Sequence, residues 1–220
     1  MKNDHYALMP LLFGLTLVSG LIDAVSFLHF NHVFVANMTG NVVLLGFAVA
    51  GAKGISIPLS LTAIASFMLG ALFGGRLSRR YSESGAHVLS VATVAKIFLM
   101  LAAAVVAAIG TGGGFAYAIL ALLGVSMGLQ NAVVRAMAVP DITTTVVTQT
   151  ITGIAADSTL AGGTNTRLRR RIATVVIMFA GALLGALVLF AYGPAAAVGT
   201  AAFILAVLSG WAWRLRGRAV

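Results

Sequence analysis

The chain has 220 residues, of which 60% are hydrophobic and 9% charged, and its mean hydropathy is +1.04. A soluble domain carries roughly 25% charged residues, so this chain cannot clothe a water-facing surface and lipid must be the solvent for much of it. The formal charge of +9 would suggest nucleic acid in a soluble protein, but basic residues beside apolar runs orient the chain and meet anionic lipid instead.

The first apolar run, 8–28, approaches the ~20 residues that cross a hydrocarbon core as helix. It is too long for a signal peptide, lacks a small-residue cleavage pattern and is followed by further spans. Asp23 lies inside it. About sixteen residues of helix, or ~24 Å, precede this carboxylate, which places it in the outer half of the bilayer. A carboxylate in hydrocarbon costs about 2.5–3.5 kcal/mol even on lenient scales, so it should face the bundle interior. A proton or cation site and a local cap are both open readings. His29 and His32 follow in a turn; no Cys or nearby Glu completes a metal set, so they read as loop residues and no metal or cofactor is expected.

Segment 33–49 is apolar but interrupted by Asn37-Met38-Thr39-Gly40-Asn41. Its β-branched and aromatic start favours extended chain, and Thr39 or Asn41 would cap a half-helix. Runs 57–75 and 88–109 follow. Lys96 sits about eight residues into the second of these, where snorkelling to the cytoplasmic face is the simpler account and pairing with Asp23 or Asp157 the alternative. Run 115–137 carries Gln130 and Asn131. Segment 142–160 is interrupted like the first, from Thr143-Thr144-Thr145 to Thr150-Ile151-Thr152-Gly153, with Thr150 or Thr152 the expected cap. Asp157 is placed near the cytoplasmic mouth beside Arg167–Arg171, and runs 172–191 and 195–213 complete the chain.

The position of Lys and Arg decides how many segments cross. With six spans, Lys2, Arg76, Arg79, Arg80, Arg135, Arg167, Arg169, Arg170, Arg171, Arg214, Arg216 and Arg218 fall on one side and Lys53 on the other, a split of 12 to 1. With eight spans it weakens to 9 to 4. Positive residues in short loops stay cytoplasmic, so six spans are expected, with both termini inside. Trp211 and Trp213 beside Arg214 suit the inner aromatic belt.

Gly20-Leu21-Ile22-Asp23-Ala24-Val25 recurs as Gly128-Leu129-Gln130-Asn131-Ala132-Val133, so Asn131 stands where Asp23 does. Thr39-Gly40 recurs as Thr152-Gly153, and Gly70-Ala71-Leu72-Phe73-Gly74 as Gly181-Ala182-Leu183-Leu184-Gly185. These matches divide the chain into repeats at 1–110 and 111–220 within a single membrane domain. Three spans per repeat is an odd number, so the second copy enters from the opposite side. The predicted fold is an all-α polytopic membrane protein of six transmembrane helices and two re-entrant segments, arranged as two inverted-topology repeats, a device common in transporters.

Two breaks related this way would bring two half-helix N-termini together near the midplane. Their free N–H groups could hold a small polar or anionic solute or ion, with Thr39, Gly40, Asn41, Thr150, Thr152 and Gly153 in contact. Asp23, Asn131, Gln130, Asp157 and Lys96 are the polar intramembrane groups available for coupling. Gly70/Gly74 and Gly181/Gly185 are small-residue faces that join either the halves of one chain or two protomers; the pseudo-symmetry suits the intramolecular option. No nucleophile–base pair, phosphate loop or zinc helix motif is present, so enzyme chemistry is not expected.

Asp23-Ala24-Val25-Ser26-Phe27-Leu28, the stretch Val33-Phe34-Val35-Ala36-Asn37-Met38-Thr39-Gly40-Asn41, Gln130-Asn131-Ala132 and Thr152-Gly153 with Asp157 resemble the YoaK-like family of bacterial membrane proteins, whose function is unknown. The resemblance implies a compact inner-membrane protein of about this length and no substrate. The expected function is a small inner-membrane transporter or channel, with a membrane assembly factor as the alternative.

Overall fold

The computed structural model describes residues 2–81, 85–137 and 147–216. Pro140, Asp141 and Thr143–Thr145 lie outside the described residues, as do the side chains of Trp211, Trp213 and Arg214. Long runs of Leu, Ala, Val and Gly without charge can satisfy their backbone in lipid only by forming helices, and every regular element described is helical. The elements are α1 (Lys2–His29), α2 (Met38–Val49), α3 (Ile57–Arg80), α4 (Gly85–Ile109), α5 (Gly114–Ala136), α6 (Val147–Ala156) and α7 (Leu168–Arg216), with a 3₁₀ turn at Thr159–Ala161 before α7.

Five of these, α1, α3, α4, α5 and α7, are long and apolar enough to cross a membrane. By contrast α2 has 12 residues and α6 has 10. At 1.5 Å per residue they extend about 18 and 15 Å, roughly half of a ~30 Å core. Within α7 the helical path breaks at Gly193, whose φ of 82° and ψ of 176° no helix contains, and Pro194 opens the second arm. Glycine reaches that φ without a Cβ penalty.

Apolar side chains occupy both the interior and the exterior of the bundle. Leu12, Leu15, Val18, Leu21, Ile22 and Val25 of α1 and Ile119, Leu120, Leu123 and Met127 of α5 are buried, while Met68 and Phe73 of α3, Phe98 and Val105 of α4, and Phe179 and Phe190 of α7 face outward. Continuous outward apolar surface on this scale is stable against lipid and not against water. Buried hydroxyls bond back into their own helices: Thr16 donates to the Leu12 carbonyl at 3.1 Å and Thr93 to that of Leu89 at 2.7 Å. These bonds spare the hydroxyls the cost of an unpaired polar group in hydrocarbon; the Ser60 and Ser209 hydroxyls are buried without such a partner.

The principal packing pairs are α1 with α7 and α3 with α5. Glycine makes both crossings close. A Cβ at Gly181 would strike the backbone of Leu17, and one at Gly185 would lie 2.5 Å from the Leu21 carbonyl oxygen. Likewise a Cβ at Gly70 would strike Val125, and one at Gly74 would lie 2.7 Å from the Leu129 carbonyl. The partner helices reciprocate: Gly20 abuts Met178 and Ala182, and Gly128 abuts Phe67 and Ala71. Adding 108 to the α1 positions and subtracting 111 from the α7 positions converts the first set of contacts into the second. Both small-residue faces are therefore occupied within the chain.

Candidate functional site

The start of α2 organises the site. The helix begins at Met38, capped by Asn37, whose side-chain oxygen accepts the Gly40 N–H at 3.2 Å. Thr39 and Asn41, the expected caps, lie inside the helix. Asn41 turns back onto the preceding loop instead. Its Oδ1 accepts the Phe34 N–H at 2.8 Å and its Nδ2 donates to the Phe34 carbonyl at 2.6 Å. This two-way bond copies one rung of a β ladder and holds the loop extended, as its β-branched composition favours. Gly40 leaves room for the Phe34 ring, which a Cβ there would meet at 2.8 Å. The Asn-Met-Thr-Gly-Asn stretch is thus a clamp on the loop, with Thr39 pointing to the exterior.

Clamping presents two backbone N–H groups to Asp23. Its Oδ1 accepts from Val35 N at 3.0 Å and Ala36 N at 2.8 Å, and the residue is only 5% exposed. Asp23 therefore meets the requirement that a buried carboxylate be hydrogen-bonded, and it supplies negative charge where α2 begins.

A cavity of about 470 Å³ opens beside this carboxylate. Gly20, Asp23, Ala24, Phe27 and Leu28 form one stripe of α1 along it, at the i, i+3, i+4, i+7, i+8 spacing of a single helix face. Phe34 and Asn37 come from the loop, Val147 and Thr148 from the first turn of α6, and Met178, Ala182 and Ala186 from α7. The Phe27 and Phe34 rings stack with centroids 4.6 Å apart. The beginning of α2 and the first described turn of α6 thus reach one cavity.

Of the residues expected to bind solute, Thr39, Gly40, Asn41, Thr150, Thr152 and Gly153 are not in the described lining. Thr150 and Thr152 sit within α6 (Val147–Ala156) rather than capping it. Thr150 is buried and Thr152 bonds back to the Thr148 carbonyl at 2.9 Å. Gly153 carries Arg171, which donates to its carbonyl and to Asp157 Oδ2, both at 2.6 Å. Asp157 thus keeps company with the basic cluster, as expected. Asn131 bonds back to the Met127 carbonyl at 2.9 Å. Phe27, Phe34, Asn37, Thr148 and Met178 were not expected at the site from the sequence, although the stripe from Gly20 to Leu28 marks the α1 face that carries five of the lining residues.

Lys96 is fully buried and does not snorkel. Its Nζ donates to Gln130 Oε1 and approaches Met127 Sδ at 3.5 Å. Gln130 Nε2 donates to Ser19 Oγ at 3.1 Å, and Ser19 donates to the Leu15 carbonyl at 2.9 Å. The chain Lys96–Gln130–Ser19 joins α4, α5 and α1, one turn from Asp23, and the two charges interact electrostatically. Snorkelling needs an open path to the interface; packing against α5 closes it and offers Gln130 as acceptor instead.

A bundle of apolar helices with outward apolar surface, five of them long enough to cross a membrane, and a buried carboxylate beside a cavity defines a polytopic α-helical membrane protein. The chain belongs to the family described as "Protein of unknown function (DUF1275)", whose profile matches residues 11–211. It is 29% identical over 146 residues to the UPF0700 transmembrane protein YoaK of Bacillus subtilis (strain 168), an alignment covering 65% of this chain. The chain spans just under two thirds, 64%, of that relative's length. No solved structure matches it.

Proposed function

We propose that this is a small transporter or channel-like protein of the bacterial inner membrane that holds a small polar solute where its two half-helices begin. One observation carries the reading. Asn37 at the head of α2, Val147 and Thr148 in the first described turn of α6, and Asp23 all border the same cavity of about 470 Å³. Helix ends at membrane depth persist where protein encloses them or they line a wet cavity, and discontinuous helices mark solute sites in transporters. An assembly factor would have a dry, filled centre, which this cavity weighs against.

The associated topology is six crossings, by α1, α3, α4, α5 and each arm of α7, with α2 and α6 re-entrant. As one rod the 49 residues of α7 would extend roughly 74 Å, more than twice the hydrocarbon core; the break at Gly193 lets the chain return. The interchange of glycine contacts between α1·α7 and α5·α3 supports two repeats, 1–110 and 111–220, in one membrane domain. Three crossings each give them opposite orientations, and the 12-to-1 charge split puts both termini in the cytoplasm.

The test is a thermal-shift screen of the purified full chain against small polar solutes, repeated with Ala186→Phe, which fills the cavity, and Thr39→Val, which lies outside its lining. A solute that stabilises the parent and Thr39→Val but not Ala186→Phe supports the reading. Absence of any stabilising solute, or an equal response from Ala186→Phe, removes it.

A further inference from the structure

We infer that the solute taken by this cavity is a small organic cation, an inference that rests on the proposed function above. Half-helix N-termini ordinarily attract anions, but the one at α2 has an acidic side chain beside it. Asp23 takes the Val35 and Ala36 N–H groups of the loop that leads into the helix, and the cap Asn37 takes that of Gly40. An anionic solute entering beside Asp23 would face like charge in surroundings of low dielectric, where repulsion at 4–6 Å is strong.

A cation meets the opposite arrangement. Asp23 supplies the counter-charge, Phe27 and Phe34 supply two aromatic rings at the same wall, and Asn37 and Thr148 supply neutral oxygens. Carboxylate with aromatic faces is the chemistry that holds alkylammonium groups, and the volume falls in the range of small-molecule pockets. One charged group opposes this sign. Lys96 interacts with Asp23 electrostatically, yet it is fully buried, is bonded to Gln130 and lies outside the described lining, so a solute reaches the carboxylate first.

The experiment measures equilibrium binding of tetramethylammonium chloride, sodium acetate and erythritol to the purified full chain, with sodium chloride as the ionic-strength control. Asp23 variants disturb the loop, so the discriminating variants are Phe27→Leu, which keeps apolar bulk without the ring, and Ala186→Phe. The expected result is tetramethylammonium binding that weakens about tenfold or more in Phe27→Leu and is lost in Ala186→Phe. Binding of acetate or erythritol but not tetramethylammonium, lost in Ala186→Phe, overturns the cationic class and leaves the solute site standing. Tetramethylammonium binding that Phe27→Leu leaves unchanged overturns the aromatic contribution. Failure of all three probes, or binding that Ala186→Phe does not alter, overturns the cation and the site together.

Discussion

Replacing Gln130 by Leu removes the oxygen that receives the Lys96 ammonium, at a position where the lysine has no exposed surface. A hydrogen bond to a charged group contributes about 1.5–3 kcal/mol, and stranding a buried charge raises the loss to about 3–5 kcal/mol. Ser19 loses its Gln130 partner in the same step, although it keeps its bond to the Leu15 carbonyl. The expected loss for Gln130→Leu is therefore about 3 kcal/mol or more, which lowers the apparent Tm by several degrees. Lys96→Met removes the charge and leaves a buried amide oxygen unpaired, at a cost of about 1–3 kcal/mol. The double variant Lys96→Met/Gln130→Leu removes both partners and replaces them with apolar groups of similar size, so it should be less destabilised than Gln130→Leu alone. A double-mutant cycle by denaturant unfolding in detergent reads the coupling directly. Additive losses, or a Gln130→Leu effect below about 0.5 kcal/mol, would refute the assignment of Lys96 to a buried bonded position.

Three further expectations concern other parts of the molecule. Gly181→Val and Gly70→Val should each destabilise by about 1–3 kcal/mol or more, because the new Cβ meets backbone across a helix crossing, whereas Gly46→Ala, which faces open space, should be harmless in the same unfolding assay. Asp157 is half exposed, so Asp157→Asn should cost no more than about 1 kcal/mol, and added salt should narrow the difference from the parent. Single cysteines at Lys53 and Arg79 in this cysteine-free chain should react with a membrane-impermeant reagent from opposite sides; labelling of both from one side would contradict six crossings.

Composition and periodicity determined the solvent, the helical class and the apolar runs, because uncharged stretches near twenty residues have one stable form in lipid. The small-residue spacing from Gly70 to Gly74 and from Gly181 to Gly185 also carried real information about close crossings, since only a missing side chain lets two backbones approach so nearly. The Asn37–Asn41 stretch was legible as a break but not as a clamp: which Asn caps and which one binds Phe34 depends on where the loop returns, a matter of long-range geometry. Asp23 could be read as buried, yet its two donors come from residues 12 and 13 positions later in the chain, beyond any helical periodicity. Lys96 shows the same limit. Its distance along one helix suggested an exit to the interface, and only the packing of α4 against α5, 34 residues away in sequence, closes that exit and supplies Gln130. Local pattern sets what each segment must bury; which polar groups end up sharing a cavity is decided by helices that meet across the bundle.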